Sequence, residues 1–179
     1  MKIDTIINQP VIETDRFLMR PVRRSDAGLL TMYASDKRVA WNTASIAHPL
    51  PPGATEAFID RAIAPDRSED VWVIDGSATG LGEVMGVVSL NRMDRKQSEI
   101  GYWVAPAAWN TGLASMAVGA LVGANPQRSR TFFATVFQDN PASARVLTNN
   151  GFEYIGDAES FSVARNATVP LWTYIRKVN

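Results

Sequence analysis

The sequence predicts one mixed α/β domain built around a single β-sheet, and three observations carry that expectation. Short runs of β-branched and aromatic residues alternate with amphipathic helical stretches. Glycine, proline and polar turns separate those runs. No repeat of fixed period and no low-complexity tract divides the chain. A length of 179 residues suits one domain, 1–179, better than two small ones.

The elements follow in order. Residues 16–20 alternate and stop at Pro21, which gives a first strand. Ser25 and Asp26 offer an N-cap for a helix reaching about Asp36. Residues 38–52, rich in small side chains and proline, read as a loop with room for one helical turn. A second helix opens at Ala54 or Thr55, carries Ala57, Phe58, Ala62 and Ile63 on one side, and stops at Pro65. A meander of three strands comes next, at 71–74, 84–90 and 98–104, joined through Asp75-Gly76 and the polar turn 93–97.

The second half changes character. Leu113, Met116, Ala117, Ala120, Leu121 and Ala124 fall at the spacing of one helical face. Ser115, Gly119 and Gly123 form a row of very small side chains, which suits close packing, most simply against the sheet. A strand at 131–137 leads to a helix with Asn140 as N-cap, Pro141 at its first position, Val146 and Leu147 facing inward and Gly151 past its end. Strand-like runs near 154–155 and 171–176 close the chain, with 161–163 as a further partner.

Composition excludes several function classes. Apolar residues are 46% and charged residues 20%, with a formal net charge of zero, so nothing points to a nucleic acid or an acidic lipid surface. The absence of cysteine rules out disulfides, thiolate metal sites and a cysteine acyl-enzyme. A single histidine, His48, rules out a multi-histidine metal centre. Residues 1–15 hold acids and proline where a signal peptide needs an apolar run, and the longest apolar stretch, 113–124, is too short to span a bilayer. A cytoplasmic protein with no membrane partner is the expectation.

Three features that occur in sequence order carry the chemistry. The first is the run 106–115, Pro-Ala-Ala-Trp-Asn-Thr-Gly-Leu-Ala-Ser, joining a strand directly to the small-residue helix. Free amides in a helix's first turn, together with the helix dipole, make an anion site. Gly112 and Ala114 leave room for a pyrophosphate to touch backbone. The second is the strand feeding that turn, where alternation puts Glu99, Gly101 and Trp103 on one face and Ile100, Tyr102 and Val104 on the other. Beside an apolar wall Glu99 would have its pKa raised and could take a proton from an ammonium acceptor, directly or through water; otherwise it pairs with Arg92 or Arg95 across the hairpin. The third is Asn140-Pro141-Ala142-Ser143, a cap that also places Asn140 and Ser143 at the mouth of a cleft.

Residues 98–117 resemble the phosphate-loop motif of the GCN5-related N-acetyltransferases (GNAT), Q/R-x-x-G-x-G/A. Trp109 takes its first position, and Gly112 and Ala114 the other two. The tryptophan, the preceding Ile-Gly-Tyr-Trp-Val, Asn-Pro-Ala-Ser followed by Asn-Gly-Phe, and the start at 13–21 are similar to the RimJ/RimL-like branch. The resemblance covers about residues 12–177.

It implies a mixed sheet splayed between its fourth and fifth strands, flanked by about four helices, with acetyl-coenzyme A in the gap and no metal. A bulge near Trp103 and Val104 would free backbone N–H groups for the thioester carbonyl. Asn110, Thr111, Gly112, Leu113, Ala114 and Ser115 would hold the pyrophosphate and Trp109 would belong to the coenzyme site, with Asn140 and Ser143 on the pantetheine arm or the sulfur. Glu99 matches the base of some histone-acetylating relatives, and a neutral amine would attack the thioester directly in a ternary complex. Two departures, Asn110 for a glycine and Met116 for a glutamate, leave the backbone cradle intact.

Many relatives also place an acidic tyrosine near Leu147. Here Ser143 protonates the sulfur, or the coenzyme leaves as thiolate, or Tyr102 or Tyr154 reaches in. The acceptor, a protein N-terminus or a small-molecule amine, would touch the 38–52 loop and the terminal strands, making Trp41, His48 and Phe161 candidate walls. The resemblance also allows a homodimer. An alternative is an acyl-coenzyme A-binding module that senses donors without turnover. A dinucleotide enzyme fits badly, because its glycine turn should follow the first strand.

Overall fold

The computed structural model describes residues 9–179; residues 1–8, part of the stretch read above for a signal peptide, lie outside the described residues. The strands are β1 (Ile12–Glu13), β2 (Leu18–Pro21), β3 (Glu69–Asp75), β4 (Gly86–Met93), β5 (Gln97–Val104), β6 (Thr131–Phe137), β7 (Glu153–Ser162) and β8 (Ala167–Lys177). They form one sheet in the order β1-β2-β3-β4-β5-β6-β8-β7. Neighbours run antiparallel except β5 and β6, which are parallel. The helices are α1 (Ala27–Ala34), α2 (Lys37–Trp41), α3 (Ala54–Ile63), α4 (Leu113–Ala124) and α5 (Pro141–Asn149).

The sheet is covered on both sides, and β3 shows why its sequence is a continuous apolar run. Val71 and Val73 pack with Leu30, Ile59 and Ala62 of α1 and α3. Trp72 and Ile74 face the opposite layer, with Leu113, Ala117 and Leu121 of α4 and Leu147 of α5. Each fully buried leucine of that layer contributes about 1.5–3 kcal/mol.

One irregularity of the sheet shapes everything near the site. β4 and β5 stay in register over eight pairs, from Gly86 with Val104 to Met93 with Gln97. β5 and β6 pair only at Gln97 with Thr131, Ser98 with Phe132 and Glu99 with Phe133, and then part. Counted from β2 these are the fourth and fifth strands, as expected; the two-residue β1 shifts the numbering by one.

The structure corrects several local expectations. The first helix breaks at Ser35, because Asp36 caps a new helix by accepting from the Arg38 amide at 2.9 Å. The helical turn for which the 38–52 segment left room is this one, which ends at Trp41. The small-residue row of α4 does not face the sheet. A side chain at Gly119 would collide with Asn150, whose amide donates to the Ser115 carbonyl at 3.1 Å, so the row admits the end of α5. No bulge interrupts β5 at Trp103 and Val104; the register shift lies in β7, between Tyr154 and Gly156.

A buried ion triad ties β2 to β3 and α1. Arg20 donates to Asp75 at 2.8 Å and, bidentately, to Asp26 at 2.9 and 2.8 Å. Burial by itself raises the Asp26 carboxyl, but the Arg20 hydrogen bonds and the Arg23 amide outweigh it and hold the group below its ordinary value. A depressed carboxylate stabilises the fold above its unfolded pKa, about 3.9, and that stabilisation disappears as pH falls through the folded value. Asp26→Asn is expected to cost about 3–5 kcal/mol by leaving Arg20 half-paired. Its acid limb of stability below about pH 4 is expected to flatten relative to wild type. Thermal melts between about pH 2.5 and 7 check both.

Candidate active site

α4 begins without a side-chain cap: Gly112, with φ 78°, is its N-cap, and the first intrahelical bond runs from the Met116 amide to the Gly112 carbonyl. The amides of residues 112–115 thus have no helical partner and lie on a cavity of about 490 Å³ lined by Gly112, Leu113, Ala114 and Ser115. Asn110 also sits at positive φ, 60°. Asparagine tolerates that conformation better than other non-glycine residues, which explains why it can stand where a glycine is common. Arg38 and Arg145 line the same cavity, and Arg16 donates to the Thr111 carbonyl at 2.8 Å. Arg38, ion-paired to Asp36 at 2.7 Å, stacks over the Trp109 ring at 5.6 Å, so arginine side chains stand near an open helix N-terminus.

The end of β5, Tyr102 to Val104, forms the inner end of this cavity beyond the point where β5 and β6 part. The Ala105 amide bonds to Met85 on the β4 side, so strand alternation turns the N–H groups of Tyr102 and Val104 toward the gap. The groups of Trp103 belong to the β4 ladder, which is why its main chain is not exposed. Trp109 Nε1 donates to the Val104 carbonyl at 2.8 Å and pins that strand end. Across the gap, the Tyr102 hydroxyl donates to the Ser143 carbonyl at 2.9 Å, and the Ser143 hydroxyl donates to Tyr102 at 2.9 Å. Burial raises the Tyr102 phenol well above its ordinary value, against the Ser143 hydrogen bond. Asn140 caps α5, its side chain accepting from the Ser143 amide at 3.4 Å.

A second cavity, about 440 Å³, opens on the other side of the sheet, and Asn42, Tyr102 and Trp103 line both. Its walls include Ile46, Leu50 and Phe58, and its polar end holds Glu69, Arg61, Ser89 and Glu99. Glu69, Asn91 and Glu99 are in register on β3, β4 and β5. Two strand spacings therefore separate the glutamates by roughly 10 Å at the backbone. Crowding by protein atoms raises the Glu69 carboxyl although its cleft is open; the Glu99 charge pushes the same way, while a Ser89 hydrogen bond and Arg61 oppose.

An open helix N-terminus beside splayed parallel strands is the arrangement that the phosphate-loop motif led one to expect, and comparison with known proteins decides the family. The acetyltransferase (GNAT) domain family matches residues 16–153. The chain belongs to the GNAT acetyltransferases. It is 28% identical over 156 residues to an uncharacterised N-acetyltransferase, YoaA, of Bacillus subtilis (strain 168), covering 82% of this chain and 85% of that one. Among solved structures it resembles RimL, a ribosomal L7/L12 α-N-protein acetyltransferase in complex with coenzyme A. The TM-score is 0.81 at 20% identity, over 94% of this chain and 98% of that one. It also resembles spermidine N-acetyltransferase from Vibrio cholerae in complex with coenzyme A and spermine. There the TM-score is 0.77 at 14% identity, over 92% and 96% of the chains. At such identities these likenesses speak for the GNAT fold.

Within the GNAT frame the residues expected from sequence divide cleanly. Trp103, Val104, Trp109, Asn110, Gly112, Leu113, Ala114, Ser115, Asn140 and Ser143 all line the first cavity; Thr111 sits in its turn and receives Arg16. Glu99 lines the second and has Asn91 opposite it; Arg92 pairs instead with Asp70 at 2.8 Å. Trp41, His48 and Phe161 line neither cavity. The 42–51 segment does form a wall of the second cavity, but through Ile46, Ala47 and Leu50 rather than His48. Trp41 is occupied elsewhere: Arg165, ion-paired to Asp139 at 2.6 Å, lies between the Trp41 ring at 5.1 Å and the Phe137 ring at 4.7 Å. Phe161 points to solvent on the outer strand β7.

Sequence reasoning missed Glu69, Arg38 and Arg145. Glu69 was within reach, since it lies two residues before Val71 on the same strand face. The arginines carried no signal, because the cavity assembles from distant segments.

Two substitutions are expected to move the Glu69 titration in opposite directions. Ser89→Ala removes a hydrogen bond to the ionised form and shifts the midpoint up; Glu99→Gln removes a like charge and shifts it down. Carboxyl NMR titration measures both, and a midpoint that ignores them would refute this picture of the cleft.

Proposed function

We propose that this GNAT protein transfers the acetyl group of acetyl-coenzyme A to a primary amine, in a ternary complex with donor and acceptor in the two cavities. One observation carries the reading: an anion-binding helix terminus and a carboxylate-bearing cleft meet at Tyr102 and Trp103. The bare amides of residues 112–115 take the coenzyme's diphosphate, with Arg16, Arg38 and Arg145 supplying positive charge. The pantetheine arm follows the gap past Asn140 and Ser143. The Val104 amide, facing that gap, is the donor for the thioester carbonyl and for the oxyanion it becomes.

The acceptor enters the second cavity, apolar body against Phe58 and Leu50, amine toward Trp103. Glu99 stands four residues before Trp103, roughly 13 Å along the strand, so it takes the amine's proton through water. A sensor without turnover would have no use for the second cavity, and the transferase reading is therefore preferred. The coenzyme A complexes of RimL and of the spermidine enzyme support the donor, and those proteins' names support the acceptor classes. Protein N-termini and small amines are both within the reading, as are the RimJ/RimL-like branch, a cytoplasmic setting, and a homodimer that sedimentation would detect.

A thiol-release assay with an amine panel and mass spectrometry of the product tests the reading; donor binding without thiol release from any amine would overturn it. Gly112→Trp places a large side chain at φ 78° in the cradle and is expected to weaken coenzyme A binding at least tenfold by calorimetry. Glu99→Gln is expected to lower kcat about 100-fold while donor affinity stays within twofold. That loss is largest below neutral pH, where the acceptor arrives protonated, and a wild-type pH–rate profile in the variant would remove Glu99 from the mechanism.

A further inference from the structure

The formal net charge of zero conceals an uneven distribution at the closed end of the sheet. There the tip of the β4–β5 hairpin, the loop from α4 to β6 and the end of β8 come together. The Lys96 carbonyl accepts from the Arg130 amide at 2.7 Å, and the Arg130 carbonyl accepts from the Val178 amide at 2.8 Å. This main-chain row crosses the ends of three strands, roughly 10 Å. Arg95, Lys96, Arg128, Arg130 and Lys177 lie on it or beside it, all exposed, and none lines either cavity. Among the described residues none of these cations makes an ion pair, whereas Arg67 and Arg92 close by are both taken up by Asp70. Asp94 is the one acidic side chain in residues 93–97, 125–131 and 176–179.

Backbone conformation singles out the same patch. Among the described residues six that are not glycine have positive φ. Three are asparagines, Asn110, Asn125 and Asn166, a residue type that tolerates the left-handed region. The other three are Arg95 at 60°, Lys96 at 56° and Arg128 at 53°, all cations and all here. The fold alone would be better served at these positions by asparagine or glycine, as it is elsewhere in the chain. Long cations kept at a conformational cost, with no ion pair among the described residues, imply a partner outside the protein.

We propose that this patch is a docking surface for a nucleic-acid duplex, met through its phosphodiester backbone. Guanidinium forks and ammonium groups pair with phosphate oxygens and need no pocket to do so. An acidic protein would ask for more, because protein interfaces are built round an apolar core, and the exposed apolar neighbours here are only Met93 and Val178. Nor can an acidic strand extend the sheet at this place, since β5, β6 and β8 are all interior strands. Residues 93–97, 125–131 and 176–179 hold no aromatic ring on which unpaired bases could stack, which favours a duplex over a single strand. Contact with the backbone alone makes the binding indifferent to sequence. The proposal goes beyond acetyl transfer and does not rest on it: the patch holds the protein on a polyanion while both cavities stay open.

Fluorescence anisotropy of labelled DNA and RNA duplexes of one sequence tests it. At about 50 mM salt wild type is expected to bind at least one of them with a Kd of about 1–10 μM, weakening about 100-fold by about 200 mM. The deciding variant carries Arg95→Asn, Lys96→Gly and Arg128→Asn together. It removes three of the five cations and suits the left-handed backbone better, so its melting temperature is expected to equal or exceed that of wild type. Its duplex affinity is expected to fall about tenfold or more, and its log–log salt slope to shrink by about 2–3, with coenzyme A affinity within about twofold. Saturating coenzyme A is expected to leave the duplex bound, because Arg38 and Arg145 belong to the first cavity and not to the patch.

Failure of wild type to bind either duplex at low salt would overturn the assignment, as would a triple variant that binds like wild type. Displacement of the duplex by coenzyme A would move the contact to the first cavity and overturn it too. Tighter binding of poly-glutamate than of both duplexes would replace the duplex with an acidic protein, and tighter binding of a single strand would replace it with unpaired nucleic acid. Should the triple variant lose its melting transition, Arg130→Gln with Lys177→Gln takes its place, since neither residue has positive φ. Binding about tenfold weaker is then expected, and unchanged binding overturns the proposal.

Discussion

The three register pairs that join β5 to β6 close one end of the sheet and leave the other end open, and both cavities depend on that partial ladder. Backbone groups facing an unpaired gap are costly unless something satisfies them. Here the rim is held by side chains: Trp109 caps the Val104 carbonyl and Tyr102 reaches Ser143 on α5. The closed end is locked by a polar network. Gln127 accepts from Ser98 at 2.6 Å and donates to Asp70 and to the Leu90 carbonyl, each at 3.0 Å, while Ser98 and Ser129 share a hydrogen bond. Asp70 in turn accepts from Arg67 and Arg92. The hinge of the V is thus fixed by buried charges and amides, and its arms are free to diverge by the width of a ligand.

This geometry divides the labour along the chain. The first cavity is walled chiefly by the stretch from Tyr102 to Asn149, with the uncapped first turn of α4 on it. The second cavity draws on α1, α3 and the 42–51 segment as well as on the strands. Main-chain recognition tolerates Trp109 and Asn110 where other residues are common, whereas exchanging Phe58, Leu50 or Glu69 would change what the second cavity accepts. On the proposed reading, selection can therefore alter the amine without disturbing the coenzyme.

Legibility in the sequence followed the same division. The run from Trp109 to Ser115 and the cap at Asn140 were readable because local backbone grammar, glycine at positive φ and an N-cap before proline, specifies them within a few residues. The order of elements along the chain was readable for a similar reason, since burial on two sides makes β3 a dense apolar run and burial of one face makes β6 alternate. Register was not. Neither the early parting of β5 and β6 nor the row of Glu69, Asn91 and Glu99 can be counted from one strand, because each depends on how partners slide. Trp41 and Phe161 were misjudged through their size: an aromatic in a loop or on a terminal strand suggests a wall, but Trp41 found a guanidinium and Phe161 found solvent. The glycine row of α4 misled likewise, as it admits Asn150 and not the sheet.

The Arg165 stack joins distant parts of the chain. The turn between β7 and β8 is bound to the segment walling the second cavity by Arg165, which donates to the Trp41 carbonyl at 3.0 Å, and by the Val163 amide, which donates to the Ala44 carbonyl at 3.0 Å. A wall contributed by the first third of the polypeptide is thus buttressed by nearly its last residues. A break in this turn would therefore slacken a wall laid down 124 residues earlier in the chain, without touching the turn that opens α4.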